Sequence, residues 1–583
     1  IDKAVRDWII RLGLCLSVGV FCVNEAAFGQ AIPQADLNII QKQQDEIQRR
    51  NETQRRLIEL KNKSSGRTPK TDIPDPNFPT LPNGQSCFQA DKINLNGVTL
   101  FTEDDIHELL SPYLGNCITL KDVDELLRSI ANLYSDKGYV TSRGFLPSQD
   151  ISDGTLNLDI IEGYVEGFEL NDDKSRKSWR LKSAFPFIIG RPLNLRDIEQ
   201  GLDQLNRLKS NNAQMTLEPG STQGASSVKI TNETSKPWHF ATGYDNSGQI
   251  STGVQQWTGN VEIDDILGVN DYLSFNWSKD TKSGEPQQSR SLSGYWSIPF
   301  GYLTLSGSHS FYTYASKVNA TTASYISSGY SRTQKVELDA VIHRNQTSKT
   351  NSSFFLRQHT AASFINDEKL DSSSYRLTSL GWSLGQQNMM LGGIVSSKLT
   401  LEKGIRALTA KEDEGITSPS TPRAQFHKAE LDLSYYKPFQ FFDQNFAYSG
   451  SAHAQWSPMT LYSADQMTIG GESSVRGYHE NTLGGDQGAY LQNTFSWNLP
   501  QTGQETVDAL LGTVAPFVGY DIGALENDSK DYTERGVISG YAFGVKTSGG
   551  YLNLSATYAR PIRTPAHLDE RHHELYIKAE VSF

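Results

Sequence analysis

The carboxyl-terminal segment alternates without a break: Leu575, Ile577, Ala579, Val581 and Phe583 are apolar, and Tyr576, Lys578, Glu580 and Ser582 between them carry polar groups. A period of two places the apolar set on one face of a strand, toward lipid, and the polar set on the other, toward water. The same alternation marks Tyr272-Leu273-Ser274-Phe275-Asn276-Trp277 and Tyr551-Leu552-Asn553-Leu554-Ser555-Ala556, and from about Trp238 onward the chain is rich in Gly, Ser, Thr, Tyr and Asn. The runs 280–290, 403–423 and 526–535 are dense in Ser, Gly and charge and read as loops between such strands. Roughly 345 residues at about 20 to 22 per strand and connection allow about sixteen strands, an even number as closed bacterial barrels require.

Upstream the period becomes helical. Thr119-Leu120-Lys121-Asp122-Val123, continuing through Leu127, Ile130 and Leu133, matches Asn194-Leu195-Arg196-Asp197-Ile198, continuing through Leu202, Leu205 and Leu208, at a constant offset of 75 residues. Each copy opens on a capping residue with an acid three positions later, then spaces its apolar residues by three, four and seven. Two copies of one small α/β domain follow. In the first, a strand-like 88–95 precedes a helix opening at Thr102, the repeated helix stops near Gly138, and 154–161 alternate as a half-buried strand. The order is β-α-α-β-β.

Residues 36–62 are rich in Gln, Glu, Arg and Lys, with only a thin apolar stripe of Leu37, Ile40, Ile47, Leu57, Ile58 and Leu60. This is a helix that can live in water, either a plug in a wet lumen or a solvated arm. The following 64–84 carry Pro69, Pro74, Pro76, Pro79 and Pro82 and should be extended, reaching on the order of 60 Å at about 3.1 Å per residue. At the start, Lys3, Arg6 and Arg11 precede an apolar run over 12–23 and small residues up to Ala31, the pattern of an export signal. A single anchoring helix is the alternative, for which that run is short. The expected division is therefore 1–31 signal peptide, 32–62 plug helix, 63–86 Pro-rich linker, 87–163 first repeat, 164–236 second repeat and 237–583 barrel.

Composition narrows the class. A hydrophobic share of 37% over 583 residues and a mean hydropathy of -0.48 exclude a bundle of spanning helices, but suit a barrel, whose two faces average to a polar composition. The net charge of -12, without a basic stripe, argues against nucleic acid. Cys15 and Cys22 fall in the export signal, leaving Cys87 and Cys117 as an even pair in an exported chain, which predicts a disulfide. Closing a loop of about thirty residues contributes about 3 to 4 kcal/mol on the chain-entropy model. No Cys/His spacing suggests a metal, and the neighbours in Arg571-His572-His573-Glu574 would face opposite sides of a strand. Without a GxxxxGK[ST] loop, nucleotide hydrolysis is not expected either. Neither catalysis nor a cofactor is expected.

Two glycine-rich segments carry the sharpest signal. In Gly470-Gly471-Glu472-Ser473-Ser474-Val475-Arg476-Gly477-Tyr478 a lone Arg is flanked by glycine, and in Phe517-Val518-Gly519-Tyr520-Asp521-Ile522-Gly523 a lone Asp is. Such a pair suggests a flexible loop pinned to a wall by one charged contact. VRGY and FVGYDIG together resemble the signatures of outer-membrane secretion barrels that carry periplasmic POTRA domains. The β-α-α-β-β order is the POTRA pattern, and GYVTSRGFLPSQDISDGTLNLDIIEG (138–163) resembles the first POTRA of two-partner secretion transporters (TpsB type).

The resemblance implies a transmembrane antiparallel β-barrel of about sixteen strands, preceded by two α/β POTRA domains and an N-terminal lumenal helix. It implies that the loop folds back into the barrel, where Arg476 meets Asp521, with Val475, Gly477 and Tyr478 on the loop and Phe517, Gly519 and Gly523 on the strand. In a wet lumen that pair is worth about 1 kcal/mol, more where locally desolvated. The implied function is an outer-membrane pore with its POTRA domains in the periplasm. It recognises a large secreted partner exoprotein (TpsA type; a haemolysin, adhesin or contact-dependent inhibition toxin) and passes it to the cell surface without ATP, as a monomer or weak dimer among outer-membrane lipid. Tyr139, Arg143 and Leu146, in the matched segment, are candidate cargo contacts or ordinary packing and surface residues. An insertase that assembles other barrels shares VRGY and the Asp strand, but typically has more POTRA domains and lacks a helix with a Pro-rich linker. A diffusion porin would leave the two repeats unexplained.

Overall fold

The computed structural model describes residues 71–72 and 87–583, apart from 172–176, 283–286, 320–323, 416–417, 480–481, 527–534 and 569–572. The expected export signal, plug helix and nearly all of the Pro-rich linker lie outside the described residues.

In the first repeat, strands Lys92–Asn96, Thr155–Ile161 and Arg143–Phe145 form a sheet, with Thr155–Ile161 central and Arg143–Phe145 at one edge. Helices Glu103–Leu110 and Leu120–Asp136 cover one face. Each helix starts where its capping box dictates: Thr119 Oγ1 accepts from the backbone N–H of Asp122 at 3.3 Å, and Asp122 accepts from that of Thr119 at 2.7 Å. Val123, Leu126, Ile130 and Tyr134 then recur on one face of the helix and bury against Leu156, Leu158 and Ile160, every second residue of the central strand. A disulfide joins Cys87 to Cys117, beside the small ladder of Phe88–Gln89 on Cys117–Ile118.

The second repeat places Tyr164–Leu170, Ala225–Asn232 and Ala213–Pro219 in a sheet under helices Lys177–Ala184 and Leu195–Asn206. Thr71–Asp72 adds to its edge, parallel to Ala213–Pro219. Val140 of the first repeat is part of this second core, packed with Leu193, Ile198 and Leu202. Backbone bonds from Leu195 N to Gly138 O and from Leu193 N to Gly163 O, both 2.8 Å, seal the joint. Beside it sits Glu162. Burial pushes its carboxyl up, yet hydrogen bonds from Thr99, Tyr134 and Leu100 outweigh that and hold it below the usual carboxylate range.

Helix Leu195–Asn206 also docks the pair of repeats on the barrel. Gln200 and Gln204 donate to Gly301 O at 3.1 and 2.8 Å, and the Tyr302 hydroxyl donates to Asp197 at 2.6 Å. Arg344 bridges Glu199 at 3.4 Å and Asp203 at 2.6 Å, all three side chains being largely shielded from water. These partners lie on two hairpin turns at the repeat-facing end of the barrel.

Sixteen strands close the barrel, from Trp238–Asp245 to Glu574–Ser582, with antiparallel neighbours throughout. The last closes on the first through Asp245↔Lys578 to Ala241↔Ser582. Alternation sorts the faces. Leu305, Val336, Leu338, Phe354, Leu380 and Leu401 are exposed on the outside, while Ser353, Ser383, Glu402 and Lys428 are buried within. In the last strand Leu575, Ile577 and Val581 are exposed and Tyr576 is buried, and Phe583 just beyond it is exposed. Among the described residues no helix is long and apolar enough to cross a membrane.

Candidate functional site: a loop held inside the barrel

Residues 457–486 leave one barrel strand, Gln444–Trp456, and return to its neighbour, Gln487–Asn498. Between them the chain makes a short 3-10 turn, Ser463–Asp465, and a miniature ladder of Met467–Ile469 on Leu483–Gly485. Met467, Ile469, Val475, Tyr478 and Leu483 are all buried, packed with Tyr490, Leu525 and Ile538 of the wall. The loop therefore brings its own apolar core into the lumen and sets it against an apolar patch of the wall. Fully burying such a side chain stabilises by about 1.5 to 3 kcal/mol, enough in sum to hold the loop inside the barrel.

At the tip, Arg476 meets Asp521. Its Nε donates to Oδ2 at 2.6 Å and Nη2 to Oδ1 at 2.7 Å, a two-pronged pair, and its backbone N–H donates to Oδ2 at 3.1 Å. Nη2 also donates to Asn493 O at 2.8 Å, and Asn493 N donates to Asp521 Oδ1 at 3.2 Å. The Arg476 side chain is 6% exposed and that of Asp521 0%. The pair is thus dry, the locally desolvated of the two cases weighed from the sequence.

The glycines explain how the loop gets so close. A methyl on Gly519 would lie 2.2 Å from Arg476 Nη2, and one on Gly540 would lie 2.2 Å from Arg476 O. Gly523 faces Val475, whose Cγ2 would stand 3.0 Å from such a methyl. Gly477 turns the chain with φ +101°, in the left-handed region that favours glycine. The next residue, Tyr478, sends its hydroxyl to Ser539 O at 3.0 Å and Arg563 O at 2.6 Å, and Gly477 N donates to the Tyr576 hydroxyl at 3.3 Å. Phe517 lies under the guanidinium at 6.0 Å.

Val475, Arg476, Gly477 and Tyr478 are thereby gathered with Phe517, Gly519, Asp521 and Gly523 in one place. Reading the motifs alone missed Asn493, Gly540 and Tyr576, which belong to other strands. Gly540 is the cross-strand partner of Asp521, a pairing that the sequence does not disclose. The other candidates lie apart, in the first repeat. Tyr139 packs edge-on against Tyr134 at 6.4 Å and, like Leu146, is half-buried against the core. Arg143 turns back to Val140 O and Ser142 O at 3.1 Å each, on the edge strand.

A barrel that is polar inside, apolar outside and stands on two POTRA repeats defines an outer-membrane transporter, with the repeats in the periplasm. Accordingly, the chain belongs to the haemolysin secretion/activation family ShlB/FhaC/HecB of two-partner secretion, whose model matches residues 224–547, preceded by a ShlB-type POTRA domain over 88–163 and a POTRA domain over 164–219. It is 33% identical to the outer membrane transporter CdiB of Dickeya dadantii (strain 3937), over 96% of each chain. It is 29% identical to the hemolysin transporter protein HpmB of Proteus mirabilis, over 83% of this chain and 82% of that one. Among solved structures, CdiB from Escherichia coli superposes with a TM-score of 0.84 at 29% identity, covering 96% of this chain and all of that one.

Proposed function

We propose that this pore recognises one large partner exoprotein, a haemolysin, an adhesin or a contact-dependent inhibition toxin, and passes it unfolded from periplasm to cell surface without ATP. The observation that carries this reading is the loop tip seated on Asp521 inside the lumen, by non-covalent contacts that must yield for cargo to pass. No phosphate-binding loop occurs in the chain, and folding of the cargo outside supplies the direction. Capture uses strand addition at a POTRA edge, where backbone bonds supply affinity and side-chain pockets select the partner. Two edges support that route: Arg143–Phe145, where Phe145 is exposed, and Ala213–Pro219, which accepts Thr71–Asp72 as an added strand. Tyr139, Arg143 and Leu146 lie on or beside the first of these edges.

The deciding experiment scores secretion of the exoprotein encoded beside this chain, in cells with and without it, against assembly of unrelated outer-membrane barrels. Loss of that one exoprotein is the expected outcome; a general assembly defect would instead identify an insertase. The N-terminal helix is assigned to the lumen as a plug. Deleting 36–62 should raise single-channel conductance several-fold in planar bilayers, and unchanged conductance would make the helix a solvated arm.

A further inference from the structure

The lumenal loop touches the wall at a second place, on the other side of its root. Asp465, in the 3-10 turn Ser463–Asp465, is fully buried and receives Arg357 Nη2 on Oδ1, with Lys428 Nζ 3.5 Å from the same oxygen. Arg357 belongs to the barrel strand Ser348–Ile365, and Lys428 to His427–Phe441. Asp521, by contrast, stands on Gly512–Glu526. Nearby, Tyr462 packs on Tyr375 with ring centroids 4.5 Å apart, and Ser463 Oγ lies 3.2 Å from the Tyr375 hydroxyl.

The wall at this second place is balanced without the loop. Arg357 pairs with Glu402 at 2.7 Å, and Lys428 pairs with Glu402 at 3.5 Å and Glu430 at 3.2 Å. Two cations thus face two wall acids, and Asp465 comes as a third anion. When it leaves, no wall charge is stranded in a dry site. The tip differs: withdrawing Arg476 strands Asp521, a fully buried carboxylate whose other donor is the backbone N–H of Asn493. The two contacts also differ in hold. Asp521 takes four hydrogen bonds on two oxygens, whereas Asp465 Oδ2 accepts none among the described residues.

We propose that Asp465 is a second, independently releasable fastening of the lumenal loop, holding its first limb to the Arg357/Lys428 wall while Arg476 holds the tip. The limb over 461–466 is the part that comes away first, while 467–469, packed with the tip in the loop core, and the tip itself stay seated.

Hydrogen exchange of the full-length protein in detergent tests this without reference to cargo. In Asp465→Asn, amides of 461–466 should exchange at least tenfold faster, with 474–478 and the strands Ser348–Ile365 and His427–Phe441 unchanged. Asp521→Asn should give the reverse, faster exchange at 474–478 with 461–466 protected. As a check from the wall side, Arg357→Met with Glu402→Gln removes one charge of each sign together with the main partner of Asp465, and should also free 461–466. The proposal is overturned if 461–466 stay protected in both the loop and the wall variants. It is equally overturned if both segments loosen together, making one fastening of two, or if exchange rises along the two strands, making Asp465 a structural charge of the barrel.

Discussion

Arg476→Ala is expected to insert and close as a barrel but to secrete at least tenfold less partner exoprotein. The ladder of sixteen strands does not depend on the loop tip, so heat-modifiable migration on gels should match the wild type. The tip itself loses its seat. Removing one member of a buried pair typically costs about 3 to 5 kcal/mol, because the partner is left charged in a dry site. Asp521 would retain only backbone donors, and Gly477 and Tyr478 would lose the register that brings them to Tyr576, Ser539 and Arg563. Normal secretion by a folded Arg476→Ala barrel would remove the pair from the working mechanism.

Gly519→Ala reaches the same contact with both charges left in place. The added methyl falls 2.2 Å from Arg476 Nη2 and 2.6 Å from Asn493 O. The second of these is backbone and cannot swing aside, so the guanidinium must leave. Secretion should fall at least fivefold. Gly167→Ala, where a methyl meets nothing within 4 Å, serves as the control and should secrete normally. Equal secretion by the two variants would mean that the close approach of the loop is incidental, whatever the charges do.

Much of this architecture is legible in the sequence, for local reasons. Alternation at 575–583 reports a two-faced strand because neighbouring side chains must point opposite ways. Thr119 with Asp122 marks a helix start because the box satisfies two backbone donors within four residues. The glycine-flanked Arg476 and Asp521 stood out because close backbone approach leaves a compositional trace. What stayed hidden depends on distant partners. Arg357, Glu402, Lys428 and Asp465 are scattered over more than a hundred residues and look singly like ordinary lumenal charges. The same applies to Arg344, whose role in docking the second repeat rests on acids of a helix about 140 residues upstream. The dryness of the Arg476–Asp521 pair was likewise hidden, since it comes from Met467, Ile469, Val475 and Leu483 packing around the tip.

The joint at Val140 has a consequence for what the pore can accept. Because that side chain sits in the core of the second repeat, and helix Leu195–Asn206 is in turn bonded to the barrel turns, the two repeats and the pore are joined by one continuous run of contacts into a single arm. If cargo is gripped at the edge strand Arg143–Phe145, as proposed above, its grip stands at a set distance from the pore mouth, and the arm would work as a ruler. On that reading, the stretch of cargo between its gripped segment and the first residues to enter is expected to need a set length, and insertions into that stretch of the cargo should lower secretion.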